Sequence, residues 1–279
     1  MTIIAFQGQA GAYSDLACRN AYPGARTLPC ETFQAAIDAV HAGRADLAML
    51  PPENSIAGRV SDLHALLPES GLSIIGEKFQ RIEHCLLTPR GATLAGIRRI
   101  HSHPVALGQV RKLIAQSGAM PVAEYDTAGA AEIVARLNNP EDAAVASSLA
   151  GELHGLEILR RNVEDEPHNT TRFYVMAREA LALALEQPGL MTTFVFNVRN
   201  VPAALYKALG GFATNGVNMT KIESYMLNGS FTATQFLAEV EGHPAQPALR
   251  LAFEELAFFS TEIKILGTYP ADPFRKRQG

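Results

Sequence analysis

Nowhere in the chain do about 18 apolar residues run uninterrupted, the length a membrane-spanning helix needs. The N-terminal MTIIAFQG carries no basic segment ahead of its short apolar run, so it does not read as a secretory leader. A soluble, cytoplasmic protein is expected. Cysteine is scarce: Cys18, Cys30 and Cys85 are odd in number and lack metal-like spacing, which fits a reducing compartment and three structural thiols. Lys/Arg runs are also missing and the net charge is -4, so no concentrated basic face exists to neutralise nucleic-acid phosphates. The one basic cluster, FRKRQG, sits at the chain end, where solvated tails are common. Low-complexity tracts are absent, and 47% hydrophobic against 19% charged residues lets the chain bury enough apolar surface to be globular throughout.

Several catalytic signatures are missing too. The segment GQAGAYS, residues 8–14, resembles a phosphate loop only in its glycines; it matches neither dinucleotide nor P-loop spacing and has no lysine. It reads as a tight turn with Ser14 near a helix start, or as an anion-capturing helix N-terminus. Of eight histidines, His101 and His103 would share a face if IHSH is a strand, yet no third ligand lies at useful spacing, so no metal is expected. No G-x-S-x-G elbow occurs and no Cys/His pair stands out, leaving covalent catalysis without support.

What is present is a repeating unit. From Met1 to about Met176, short apolar runs lead through polar turns into helix-periodic stretches, an α/β pattern. TIIAF, ADLAML, IRRIHS, VAEY and AAVA are the expected strands, and IRRIHS is followed by one continuous helix over HPVALGQVRKLIAQSG. Their ends deliver Glu53-Asn54-Ser55, Ser102, Thr127 and Ser147-Ser148 to helix starts, as caps, as donors to a small anion, or as both. After ALALALEQPGL the pattern changes, and a domain boundary is placed there. TTFVFNV, a helix started by Asn200 and Pro202, the strands VNMTKIESYML and FTATQFLAEV around the hairpin signal Asn228-Gly229, the helix PALRLAFEELAFF and the strand EIKILGTY give βαββαβ, a ferredoxin-like unit.

FQGQAGAYS, PPENSIAGRV, HCLL, HSHPVALGQ, DTAGAA, AAVASSLAGELHGLEIL and NTTRF stand in the order found in prephenate dehydratases, and NGVNMTKIES resembles the ACT domain that follows them in monofunctional members. The resemblance spans about Ile3 to Tyr269. It implies a catalytic region over 1–182 folded like a two-lobed periplasmic binding protein, with lobes of about 1–77 plus 163–182 and 78–162, and an ACT domain over 190–270. The implied reaction turns prephenate into phenylpyruvate with loss of water and carbon dioxide, driven by aromatisation and needing no cofactor.

On matched positions the resemblance assigns the leaving hydroxyl to Thr171. It gives substrate binding to Asn54, Ser55, Ser102, Gln109 and Asn169, to which the reading of the residues adds Thr127, Arg172 and Phe173. If TTRFYV is extended, Thr171 and Phe173 share one face, with Phe173 as an apolar wall beside the departing carboxylate. Arg172 lies on the other face, and either contacts substrate or pairs with an acid behind the site. The ACT resemblance implies an L-phenylalanine effector in a homodimer or homotetramer, with Ala203, Ala204, Leu205, Asn215, Asn218 and Ser224 as effector-binding positions. The chain departs from the usual PGAL and ESRP, reading Pro202-Ala203-Ala204-Leu205 and Glu223-Ser224-Tyr225-Met226. The first change adds a methyl where backbone meets ligand; the second removes a charge and a stiff turn. Arogenate dehydratase and a non-catalytic amino-acid or anion sensor are the alternative functions.

Overall fold

The computed structural model of the chain describes residues 1–226 and 233–277. It separates into two compact units, one of Met1–His64 with Lys78–Phe173, the other of Ala65–Glu77 with the chain from Tyr174 onward.

The first unit begins with β1 (Ile3–Gln7), α1 (Tyr13–Ala21), β2 (Arg26–Cys30), α2 (Phe33–His41), β3 (Leu47–Asn54), β4 (Gly58–Arg59) and α3 (Ser61–Leu66). Then come β5 (Ser73–Arg81), β6 (Cys85–Thr88), β7 (Arg99–Ser102), α4 (Pro104–Gly108), α5 (Arg111–Ser117), β8 (Met120–Ala123), α6 (Thr127–Leu137), β9 (Asp142–Ala146), α7 (Ser148–His154), β10 (Glu157–Arg160) and β11 (Thr170–Ala177). These strands form two sheets, ordered β2-β1-β3-β11-β5 with β4 on β3, and β10-β6-β9-β7-β8. α3, β5 and β11 each carry the chain from one unit into the other. In the second sheet, β9 is buried along its whole length because α6 and α7 cover one face while α5 covers the other. Hence DAAVA reads as a near-continuous apolar run. Ala128, Ala130, Ala131 and Val134 give α6 a small-residue face for that contact.

Three local readings change. The β2–α2 unit escapes the sequence pattern because RTLPC is a half-exposed edge strand carrying Pro29, as edge strands tolerate. PPENS is not a helix start: β3 runs through Pro51 and Pro52 to Asn54, then turns at Gly58 (φ +81°) to pair with β4. The single helix expected over HPVALGQVRKLIAQSG breaks at Gln109-Val110. There the Asp165 carboxylate accepts the backbone N–H groups of Arg111 and Lys112, at 2.9 and 3.0 Å, and starts α5 as a separate helix.

The second unit contains β12 (Leu190–Val198), α8 (Ala204–Thr214), β13 (Met219–Met226), β14 (Ala233–Glu241), α9 (Pro247–Phe259) and β15 (Ser260–Pro270). This is the expected βαββαβ order, and its sheet β13-β14-β12-β15 is antiparallel throughout. The Asn228-Gly229 signal lies outside the described residues. Phe194, Phe196 and Phe212 form the core with Phe253, whose ring meets Phe194 edge-on at 4.9 Å. α8 begins two residues later than Pro202 suggested, after Ala203 in a left-handed conformation (φ 61°, ψ 17°).

A polar cluster is buried in the same unit. Arg275 donates to both oxygens of Glu77, at 2.6 and 2.9 Å, and to Glu239 at 3.0 Å. Glu239 also accepts from the Tyr174 hydroxyl at 2.5 Å. Two buried carboxylates thus share one guanidinium, the pairing that burial of charge requires.

Candidate active site

The first unit holds an open cavity of about 480 Å³ lined from both of its sheets. The end of β3, strand β11 and the α4–α5 break supply Asn54, Thr171, Phe173 and Gln109; α1, the approach to β6 and α6 supply Tyr13, His84 and Thr127. Pro51, Val60, Ile82 and Ala106 make much of the remaining wall apolar. Among the described lining residues there is no Lys or Arg, and the one carboxylate is Asp126.

β11 places Thr171 and Phe173 toward this cavity as its pleat requires. Arg172 does not line it. Its buried guanidinium donates to Glu53 Oε1 at 2.9 Å and lies 5.9 Å from the centre of the Phe79 ring.

Hydrogen bonds fix every amide behind Thr171. Asn54 Oδ1 accepts the backbone N–H groups of Ile56 and Ala57, at 2.9 and 2.8 Å, so its Nδ2 faces the other way. From there Nδ2 donates to Thr171 Oγ1 at 2.9 Å and to Asn169 Oδ1 at 2.7 Å. With its oxygen occupied as an acceptor, Thr171 keeps its own proton for a ligand in the cavity. Asn169, fully buried, donates in turn to Gln109 Oε1 at 3.0 Å, and that oxygen also faces His84 Nε2 at 2.9 Å. Nε2 therefore carries the proton and Nδ1 accepts from the Tyr13 hydroxyl at 2.7 Å. Burial pushes the Tyr13 phenol well above its usual range, which keeps it a donor. Burial also holds the His84 imidazolium below its ordinary range, against the opposing influence of the Gln109 bond and Glu164.

The remaining expected residues take other places. Thr127 opens α6 at the cavity wall, while Asp126 caps that helix by accepting from Gly129 N at 2.6 Å. Ser55 Oγ donates to the His168 carbonyl and accepts from Thr170 N, tying the β3 turn to the start of β11. Ser102 is buried and donates to the Val145 carbonyl at 2.6 Å; Ser147 caps α7 and donates to the Gly11 carbonyl at 2.5 Å. His101 and His103 part company. Both nitrogens of His101 face carboxylates, Glu124 at 2.8 Å and Asp142 at 3.0 Å, whereas His103 caps α4 at the cavity. Sequence reasoning gave no role to Tyr13 or His84, although both sit inside motifs it singled out, GAYS and HCLL; 71 positions separate them, so no local spacing links them.

In the second unit, Ala203, Ala204 and Leu205 stand at the start of α8. Asn215 stands at its end and is committed to the Gly211 carbonyl and Glu255, both at 2.8 Å. Asn218 and Ser224 are exposed, just before and on β13. Ala203–Leu205 and Asn215 stand at opposite ends of α8, roughly 16 Å apart at 1.5 Å per residue, while the register Ser224–Phe236–Phe196 puts Ser224 at the sheet end where β12 leads into α8.

An oriented hydroxyl, neutral amides and an apolar wall in one cavity suit a small polar molecule. A family model for prephenate dehydratase matches residues 4–181, and the chain belongs to that family of lyases in aromatic amino acid biosynthesis. It is 65% identical to the bifunctional N-acyl-homoserine lactone acylase/prephenate dehydratase of Komagataeibacter europaeus, over 99% of this chain and 98% of that protein. It is 37% identical to arogenate dehydratase/prephenate dehydratase 2, chloroplastic, of Arabidopsis thaliana, over 96% of this chain and 73% of the relative. Its fold is similar to that of prephenate dehydratase from Arthrobacter aurescens in complex with L-Phe: TM-score 0.86, 30% identity, 96% of this chain and 90% of the other. Among the described residues no helix is long and apolar enough to cross a membrane.

Proposed function

We propose that the chain converts prephenate to phenylpyruvate in L-phenylalanine biosynthesis, with Thr171 serving the leaving hydroxyl. The bond from ring to carboxylate breaks, its electron pair enters the ring, and the ring carbon–hydroxyl bond breaks. Hydroxide takes up a proton and leaves as water beside carbon dioxide, so each turnover consumes one proton. The observation that carries this reading is the Thr171 hydroxyl, whose oxygen accepts from Asn54 and whose proton is left for the cavity. A hydrogen bond that strengthens as the carbon–oxygen bond breaks is worth about 10²- to 10⁴-fold in rate. Phe173 is the apolar wall for the departing carboxylate, and Thr127 and Gln109 meet the substrate's polar groups. Asn54 and Asn169 act through Thr171 and Gln109, while Ser55, Ser102 and Arg172 hold the walls.

In this reading residues 1–182 are the catalytic region, with lobes of about 1–77 plus 163–182 and 78–162, and 190–270 is an ACT domain. L-Phenylalanine is its effector, as the complex of the Arthrobacter relative supports. The effector positions at the two ends of α8 meet across a pair of chains, which makes the protein a homodimer or homotetramer. Family membership weighs against the non-catalytic sensor.

Two relatives favour further substrates. The plant protein's name includes arogenate dehydratase, and the Komagataeibacter protein's includes an N-acyl-homoserine lactone acylase. Purified protein is therefore incubated separately with prephenate, arogenate and an N-acyl-homoserine lactone, following phenylpyruvate, phenylalanine and free homoserine lactone. Phenylpyruvate from prephenate is expected, and no turnover of prephenate would overturn the reading. Homoserine lactone release would add a second activity. A response of prephenate turnover to L-phenylalanine is expected; a flat response would remove the effector site.

A further inference from the structure

We infer that His84 is the cavity's proton-accepting site, which becomes an imidazolium when an anionic substrate binds and so supplies the positive charge the cavity walls otherwise lack. The inference rests on the proposed prephenate reading, in which the ligand brings two carboxylates. Among the described lining residues only His84 and His103 can acquire positive charge. His103 uses Nδ1 to accept the Val105 N–H at 3.2 Å as a helix cap and is partly exposed. His84 is buried, with both nitrogens assigned by the bonds that run out from Asn54.

The Tyr13 hydroxyl makes two protonation states of His84 possible without loss of a hydrogen bond. It lies 2.7 Å from His84 Nδ1 and 3.1 Å from the Glu83 carbonyl. With neutral His84, Tyr13 donates to Nδ1. When Nδ1 gains a proton, it donates to the Tyr13 oxygen, and the phenolic O–H turns to Glu83. The Nε2–H bond to Gln109 is kept in both states, so the alignment of Asn169, Asn54 and Thr171 survives the change.

The charged and titratable surroundings set the direction. Glu164 accepts the His84 backbone N–H at 2.9 Å, and Arg81 lies within 4 Å of both Glu164 and Glu83, at 3.7 and 3.3 Å. Cys85, the next residue, feels the charge of Arg161, and Asp126 and His103 line the same cavity as His84. Burial outweighs the Gln109 bond and Glu164 and favours neutral imidazole. A bound carboxylate adds negative charge in a desolvated space and shifts the balance toward imidazolium. Binding then takes up a proton in the window between the free and bound pKa values, and affinity falls as pH rises through it. The change is about tenfold for each unit by which the ligand raises the His84 pKa.

The test is KM and kcat for prephenate from about pH 5.5 to about pH 8, the span over which histidines titrate. For the wild type, KM rises with pH while kcat stays level. His84→Gln offers an amide N–H to Gln109 but accepts no proton; its KM is flat and at or above the wild-type high-pH value. Tyr13→Phe removes the acceptor for the second proton and moves the KM rise to lower pH. Turnover with a flat wild-type KM would overturn the inference alone. The same pH dependence in His84→Gln would overturn it too, by placing the proton on another group such as His103. No turnover of prephenate by the wild type would instead overturn the functional reading on which the inference depends.

Discussion

Asn54→Asp preserves the shape of the side chain and reverses one half of its chemistry. One carboxylate oxygen still accepts from Ile56 N and Ala57 N, so the β3 turn is kept. The other replaces a donor 2.9 Å from Thr171 Oγ1 and 2.7 Å from Asn169 Oδ1. Thr171 then donates its proton backward to the carboxylate, in a charge-assisted bond about twice as strong as a neutral one, and has none for the leaving hydroxyl. Asn169 must flip to donate to the new carboxylate, which turns its oxygen on Gln109; the reversal reaches His84, whose proton must move from Nε2 to Nδ1. Loss of the hydroxyl's help predicts a fall in kcat of about 10²- to 10⁴-fold, or about 3–5 kcal/mol in the barrier. Asn54→Ala, which leaves Thr171 unoriented but its proton available, falls less. Steady-state phenylpyruvate formation measures both variants. A kcat for Asn54→Asp within about threefold of wild type, far under the range for lost acid help, would refute the hydrogen-bond directions read here, as would a larger loss in Asn54→Ala.

Other predictions concern the second unit. Arg275→Ala strips a shared guanidinium from Glu77 and Glu239. Breaking a buried pair costs about 3–5 kcal/mol, and the partial exposure of Arg275 places the loss at the low end. Urea unfolding checks it, and a loss under about 1 kcal/mol, the scale of a surface ion pair, would contradict the cluster's weight. Tyr174→Phe removes the 2.5 Å bond to Glu239 and is expected to destabilise by about 1–3 kcal/mol in the same assay. Ala203→Gly relieves a left-handed alanine that costs about 1–2 kcal/mol; set against about 0.4–1 kcal/mol of added chain entropy, the variant is slightly more stable. A lower unfolding midpoint would show that this loop is not strained.

Periodic elements were legible because burial imposes their pattern: β9 with α6, and the βαββαβ order, follow from apolar spacing and turn residues. Edge strand β2 was not, since a half-exposed strand with proline carries no such pattern. Nor was the break at Gln109, which depends on Asp165 arriving from 54 positions away. The β11 pleat told Thr171 and Phe173 from Arg172, but the partner of Arg172, Glu53, is 119 positions distant. Serines show the limit most clearly: Ser102 and Ser147 match ligand donors in type and position, yet in the fold their hydroxyls are spent on backbone carbonyls. Residue type announces what a group can do; only the packed neighbours decide which of its bonds remain available.

In the proposed reaction the Thr171 hydroxyl assists departure of the ring hydroxyl of prephenate. Thr171→Val keeps the side chain's size and β-branching and removes the one group in question. Single-turnover and steady-state formation of phenylpyruvate by wild type and variant is the direct measurement. The expected result is rapid turnover by wild type and a kcat lower by at least about 10²-fold in the variant, with KM changed little. Wild type that forms no phenylpyruvate, or a variant that forms it at the wild-type kcat, would rule out this role for Thr171.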